Sequence, residues 1–114
     1  MSDFLITSMK RLVPASPWSI DHQGETHIVE DAREGLIFVD VTAKSGTNSP
    51  TLHLLVEASW DGNAWYVLTE LDEITDVSTF VYPITNFGKY IRIRWVITGT
   101  DPSFTFQVHF VGKR

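Results

Sequence analysis

The stretch YIRIRWVITGTDPSFTFQVHFV, residues 90–111, decides the fold class. Apolar and polar residues alternate in it with a period of two, first over 90–98 and again over 103–111. Such alternation is typical of strands that bury one face in an antiparallel sheet. The chain therefore contains at least two half-buried strands near its C-terminal end.

Residues 99–103, GTDPS, favour a turn between these strands, so we predict that the two strands form a hairpin. In such a hairpin, with its turn at residues 99–103, Arg94 lies opposite Gln107 and Arg92 lies opposite His109 on the outward side. These four side chains would form a polar, cationic strip on an acidic protein. The strip is either a solvated sheet face with local salt bridges or a contact surface for an acidic partner.

Comparable alternation recurs along the chain from residue 36, and no segment shows a helical period. Turn-forming residues separate further strands, which we expect at about 26–30, 36–43, 51–60, 65–71 and 78–84. We therefore predict an all-β chain that folds as a single antiparallel β-sandwich of about seven or eight strands. Jelly-roll and immunoglobulin-like connectivity both fit this spacing.

The N-terminal segment differs from the rest, because Pro14 and Pro17 interrupt it and no alternation is sustained. We divide the chain into an extended N-terminal arm, residues 1–24, and a β-sandwich domain, residues 25–114. The arm has apolar residues that must be buried. It either packs on its own sandwich as an edge strand or lies on a neighbouring subunit. In the second case, deletion of residues 1–20 would leave a folded domain.

The segment SWDGNAW, residues 59–65, carries Asp-Gly between two strand-like runs, which is a strong hairpin signal. Two registers fit, with a two-residue turn or a four-residue loop. Both point Trp60, Trp65 and Val67 towards the core. Asp61 is then explained by capping of nearby backbone amides. We favour this structural role over a sugar-stacking or calcium role for the tip.

Composition excludes several classes of function. Of the 114 residues, 14 are acidic and 9 are basic, the formal net charge is −5, and there is no cysteine. An acidic chain without a lysine and arginine cluster is a poor partner for nucleic acid or an anionic membrane. Without cysteine, disulfides, thiolate catalysis and zinc-thiolate sites are excluded. We find neither a signal peptide nor a membrane-spanning stretch, so we expect synthesis in the cytoplasm without export.

Motifs for catalysis and metal binding are also missing. The histidines show no metal-ligand spacing, and the acidic segment ELDEITD, residues 70–76, does not match a calcium loop. No set of serine, histidine and aspartate suits nucleophilic catalysis. We therefore predict that the protein is not an enzyme and has no catalytic residue, no metal site and no cofactor.

Two sequence patterns resemble a known group of proteins. They are S-x-D-G-x-x-W and G-x-Y-x-R-x-x-W-x-x-x-G-x-x-P-S-F-T-F, within residues 36–111. The matching positions are Ser59, Asp61, Gly62, Trp65, Gly88, Tyr90, Arg92, Trp95, Gly99, Pro102, Ser103, Phe104, Thr105 and Phe106. Over this region the chain resembles small β-sandwich virion proteins of tailed bacteriophages. The resemblance implies a decoration (cement) protein of the head, or a small head-completion or tail protein.

The resemblance leads us to expect a non-enzymatic virion structural protein, most simply a capsid decoration protein made in the host bacterial cytoplasm. Its expected partners are the major capsid protein or other virion subunits, together with copies of itself, a trimer being one candidate state. The expected partner-binding residues are those of the arm and of the cationic strip: Phe4, Leu5, Ile6, Trp18, Arg92, Arg94, Gln107 and His109.

A carbohydrate-binding module of β-sandwich fold is the alternative. It requires an exposed aromatic platform, for which the candidates are Trp18, Trp60, Tyr66 and Tyr82. The predicted inward direction of Trp60 disfavours this alternative.

Overall fold

The structure, a computed structural model, describes residues 6–29, 32–85 and 87–113. These residues form only β-strands and connecting segments, which confirms the predicted all-β class. The strands are β1 Ile6–Trp18, β2 His22–Gln23, β3 His27–Ile28, β4 Glu34–Ser59, β5 Tyr66–Glu70, β6 Ser78–Thr85 and β7 Tyr90–Lys113.

Strands β4 and β7 form one long antiparallel ribbon that pairs from Glu34 opposite Lys113 to Ser59 opposite Tyr90. A straight strand as long as β7, with its 24 residues, would measure about 80 Å, whereas the longest dimension of the molecule is 46 Å. The ribbon therefore folds back on itself.

The fold-back occurs at a corner made of residues 42–51 of β4 and 98–103 of β7, where the pairing register shifts. Five corner residues have positive φ angles: Gly46, Asn48, Ser49, Gly99 and Asp101. At Gly99 φ is +123°, and an added Cβ would lie 2.9 Å from the Cα of Pro50 on the partner strand. A side chain at this position would meet both backbone strain and a backbone clash.

The corner divides the ribbon between two layers, although backbone pairing joins all seven strands. Sheet I contains β1, the 104–113 half of β7, the 34–45 half of β4, and β6, in that order. Sheet II contains β2 with β3, the 90–98 half of β7, the 51–59 half of β4, and β5.

For the strand order we number the strands from 1 to 8 along the chain, with β2 and β3 counted as one strand and each half of β4 and of β7 counted as a strand of its own. The order is then 1-8-3-6 in sheet I and 2-7-4-5 in sheet II. This is the connectivity of a jelly roll.

The core lies between the two layers and is built from alternate residues of the ribbon. Trp95 of sheet II meets Phe106 of sheet I edge to face, with ring centroids 5.3 Å apart. The main ribbon residues of the core are Ile37, Val39, Val41, Leu52, Leu54, Val56, Ile91, Ile93, Trp95, Phe104, Phe106, Val108 and Phe110.

The predicted hairpin across residues 99–103 is wrong. The predicted hairpin would pair Trp95 with Phe106. In the structure Trp95 pairs with Leu54, and Phe106 pairs with Val41. Glycine and proline bend β7 from one sheet into the other here, and β4 bends beside it. Since a corner and a hairpin use the same turn residues, local sequence alone favoured the more common one.

The segment expected to be an arm contains β1, which is an edge strand of sheet I and pairs with β7. Leu12 and Val13 are each 1% exposed and belong to the core. Of the two alternatives for the arm, the structure therefore shows packing on its own sandwich for residues 6–18. Deletion of residues 1–20 would remove core side chains and is not expected to leave a folded domain.

The corner generates a stability prediction. Gly99→Ala should lower the free energy of unfolding by more than Gly62→Ala, whose added Cβ would find its nearest neighbour, the Tyr90 ring, at 3.7 Å. Gly62 has a φ of +83°, so its substitution should cost about 1–2 kcal/mol for backbone strain alone. Urea denaturation of both variants measures the difference. Equal costs would show that the corner does not constrain the fold.

Candidate functional site

A network of hydrogen bonds fixes the turn that follows β4. The Oγ atom of Ser59 accepts bonds from the amides of Asp61 and Gly62 at 3.2 and 2.8 Å, and its hydroxyl donates to Oδ1 of Asp61. Asp61 Oδ1 also accepts from the amides of Asn63 and Ala64 at 2.8 and 2.9 Å. These amides hold the pKa of the Asp61 carboxyl below its ordinary value. The predicted capping role of Asp61 is confirmed.

The register after the turn differs from both predicted registers. Ala58 pairs with Tyr66 and Glu57 with Val67, and a register shift follows between Val56 and Glu57. Because a shift of one residue reverses which face a side chain occupies, Val67 points outward beside Glu57. Trp60 lies beyond Ser59, the last residue of β4, so the alternation of the strand no longer sets its direction. Both predicted inward directions are therefore wrong. Trp60 is 69% exposed and Val67 is 48% exposed.

The outward face of sheet II carries a closed network around one buried carboxylate. Glu57 is only 6% exposed. It accepts bonds from Nε of Arg92 at 2.8 Å and from Nε of Arg94 at 3.1 Å. The Arg92 guanidinium lies 4.1 Å from the ring centroid of Trp65, a cation–π contact that also places Trp65 on the outward face.

Glu57 therefore offsets one of the two positive charges, and it engages the Nε atom of each arginine within the chain. As a partner surface they offer less free charge than the sequence suggested.

The outward face of sheet I holds the other half of the predicted strip. Nε2 of Gln107 donates to Asp40 Oδ2 at 3.1 Å, and Thr79 Oγ1 donates to Asp40 Oδ1 at 3.0 Å. Nε2 of His109 lies 3.0 Å from Oε1 of Gln107. Since Gln107 and His109 lie on sheet I whereas the two arginines lie on sheet II, the four residues do not form one strip.

Next to this polar row the outward face of sheet I is apolar. Leu36 pairs with Val111 on one side and Pro83 on the other, and Phe38 pairs with His109 and Val81. We call the five apolar residues the sheet I patch: Leu36, Phe38, Val81, Pro83 and Val111. Their sequence neighbours on the strands, such as Ile37 and Phe110, point into the core.

Along the direction of the strands, polar residues lie at both ends of the sheet I patch. One end has the ion pair of Lys113 with Glu34, in which Nζ and Oε1 are 3.2 Å apart. The other end has the row of Gln107, Asp40 and Thr79. Sequence reasoning missed this surface, although the unbroken apolar run LIFV at 36–39 is a signal that both faces of a strand are apolar.

The remaining predicted contact residues fall in different places. Trp18 stacks on His22, with ring centroids 5.3 Å apart, and packs against Trp95 at 4.8 Å, so its ring covers the core of its own chain. Ile6 begins β1 and pairs with Lys113. Phe4 and Leu5 lie outside the described residues.

The four residues predicted to form an aromatic platform also lie in different places. Tyr82 is half-buried and packs edge to face on Phe80, with ring centroids 5.5 Å apart. Trp60 and Tyr66 are exposed and flank one shallow depression beside Gly88. The structure thus brings together two of the four candidates.

Within residues 6–29, 32–85 and 87–113, no group of three or more metal-ligating side chains could hold a metal ion. A search of the same residues for a helix long and apolar enough to cross a membrane finds none.

The buried carboxylate yields a prediction. Glu57→Gln removes the charge between two arginines and leaves a donor facing one guanidinium, so unfolding should become easier by roughly 1–3 kcal/mol. Glu70→Gln, on the exposed end of β5, is the matched control and should change stability by less than about 0.5 kcal/mol. Chemical denaturation distinguishes them. Equal stability of the Glu57 variant and the unsubstituted protein would show that the network contributes little.

The Asp61 turn predicts a pH dependence. A carboxyl whose pKa is lowered by folding stabilises the protein while ionised, and that contribution is lost as the pH falls below the ordinary value of 3.8. Asp61→Asn keeps an oxygen acceptor but no charge. The variant should be less stable than the unsubstituted protein near neutral pH, and the difference should shrink below about pH 4. A difference in melting temperature that stays constant between neutral and acid pH would contradict this.

Comparisons with protein-family models, with curated proteins and with solved structures find no match to this chain.

Proposed function

We propose that the protein is a non-enzymatic structural subunit of a bacteriophage virion, most simply a capsid decoration protein, which binds neighbouring subunits through the sheet I patch. The observation that carries this proposal is the patch itself. An uncharged apolar centre bounded by satisfied polar pairs has the arrangement of a protein–protein interface.

The size of the patch favours a repeated contact over a single strong one. It spans three strands and two cross-strand rows, which corresponds to an area on the order of 200 Å². Stable pairs of proteins bury about 800 Å² on each partner. One patch therefore supports only a weak contact, and tight binding requires many such contacts over a repeating surface such as a capsid.

The resemblance to virion proteins supports the same role. Several of its matching residues have structural tasks here: Asp61 and Gly62 make the turn, Gly99 makes the corner, and Phe106 lies in the core. These are tasks that a β-sandwich needs at a turn, a corner and its core, and the virion role is carried over from the resemblance. The proposed partners are the major capsid protein or other virion subunits, and further copies of this chain.

The proposal changes the predicted contact region. Trp18 covers the core of its own chain and Arg92 binds Glu57, so neither is the main contact. His109 and Gln107 remain at the margin of the sheet I patch, where they can form polar contacts with a partner.

A charge placed in the patch tests the proposal. Val81, 44% exposed within the patch, is changed to lysine, and Val77, 53% exposed just before β6, receives the same change as a control. Val81→Lys should weaken binding at least about tenfold, because burying a charge costs more than the lost valine contact. Val77→Lys should bind like the unsubstituted chain.

Binding is measured by co-sedimentation with phage particles that lack the protein, and melting temperatures verify that both variants fold. Undiminished binding of folded Val81→Lys would refute the role of the patch. Sedimentation velocity of the same proteins reports whether the patch also joins copies of this chain.

A further inference from the structure

Trp60 and Tyr66 form a second exposed surface, at the tip of sheet II and on the other layer from the sheet I patch. They are 69% and 62% exposed. The depression between them has a volume of about 240 Å³ and includes Gly88 in its lining. Leaving two large aromatic rings in water gains nothing for folding, so this surface requires another explanation.

The tip is rigid before any ligand arrives. Trp60 directly follows β4 and lies within the turn whose amides are bonded to Ser59 and Asp61, while Tyr66 pairs with Ala58. A Cβ at Gly88 would lie 2.8 Å from the carbonyl oxygen of Ser59, so the glycine lets two backbone segments approach closely beside the depression. The backbone that carries both rings is thus held in place without a ligand, which lowers the entropy cost of binding at the tip.

The chemistry of the tip indicates an uncharged ligand with hydroxyl groups. The lining residues carry no charge: Ala58, Ser59, Trp60, Tyr66, Val67, Leu68 and Gly88. Asp61, next to Trp60, makes its side-chain hydrogen bonds to described residues through Oδ1 alone, which leaves Oδ2 able to accept. The exposed carboxamide of Asn63 is on the same turn.

We infer that Trp60 and Tyr66 bind a neutral pyranose unit of a glycan. The C–H face of the sugar stacks on the aromatic rings, and its hydroxyls donate to Asp61 or bond to Asn63. The negative charge of Asp61 disfavours acidic sugars. This inference is independent of the proposed assembly role, because it uses different residues on the other sheet.

A proline-rich peptide is the competing ligand for exposed tryptophan and tyrosine. Its prolines have no N–H to donate, and its carbonyl oxygens would face an acceptor-only carboxylate at Asp61. A sugar hydroxyl can donate to that carboxylate. The composition of the tip therefore favours the glycan.

The 114-residue protein is applied to an array of neutral oligosaccharides, and the strongest binder is then titrated by isothermal calorimetry. Trp60→Ala and Tyr66→Ala should each weaken binding at least about tenfold. Ile20→Ala is the matched control, because Ile20 is 66% exposed and does not line this depression. It should bind like the unsubstituted chain, as should Val81→Lys.

Since Trp60 and Tyr66 are exposed, their variants should keep the melting temperature, and loss of binding then reports the site. The inference is overturned if no neutral oligosaccharide binds in a Trp60-dependent way. It is also overturned if a polyproline peptide, titrated in parallel, binds through Trp60 while the oligosaccharides do not. Neither outcome affects the proposed assembly role, which the particle-binding assay tests separately.

Discussion

Backbone pairing between β4 and β7 continues from sheet II through the corner into sheet I, and every other strand is bonded to one of these two. Strands β1, β2 and β3 add to β7, and β5 and β6 add to β4. The fold therefore depends on whether the ribbon can bend without losing its pairing. Positive φ angles at Gly46 and Gly99 on opposite strands permit the bend, and the contact of Trp95 with Phe106 closes the two halves on each other.

Once the ribbon has bent, the same alternation that fills the core also determines what each sheet presents to solvent. On sheet II the outward positions include Glu57, Arg92 and Arg94, and the buried carboxylate of Glu57 is bonded by both arginines, one of which stacks on the ring of Trp65. On sheet I the corresponding positions include Leu36 and Phe38, which the chain leaves half-buried. The difference between the faces follows from residue choice at outward positions, because both halves of the ribbon have the same backbone geometry.

Sequence periodicity was sufficient to predict the strand segments from residue 36 onward and the core set of β7, and the Asp-Gly dipeptide predicted the turn at Asp61, because each depends on residues that are close in the chain. It failed where partners are distant. The turn residues around Gly99 are equally suited to a hairpin or a corner, and only the matching bend in β4 decides between them. The outward direction of Val67 depends on one register shift between β4 and β5, Trp60 lies in the turn beyond the end of β4, and β1 was hidden by irregular pairing around its prolines. The direction of side chains at the proposed surfaces thus depends more on distant parts of the sequence than the positions of the strands do.

The two proposed surfaces use different side chains on different layers of the sandwich, and they come near each other where Pro83 of the sheet I patch and Leu68 of the Trp60 depression line one hollow. Because Trp60 and Tyr66 are not part of the patch, the two proposals do not require the same side chains. The largest rings of the core, including Trp95, Phe104 and Phe110, are at most 1% exposed. Since those rings hold the layers together, the two proposed surfaces use other side chains, which either alternate outward on a strand or lie in a turn beyond a strand end. The sheet I patch is of the first kind and Trp60 is of the second.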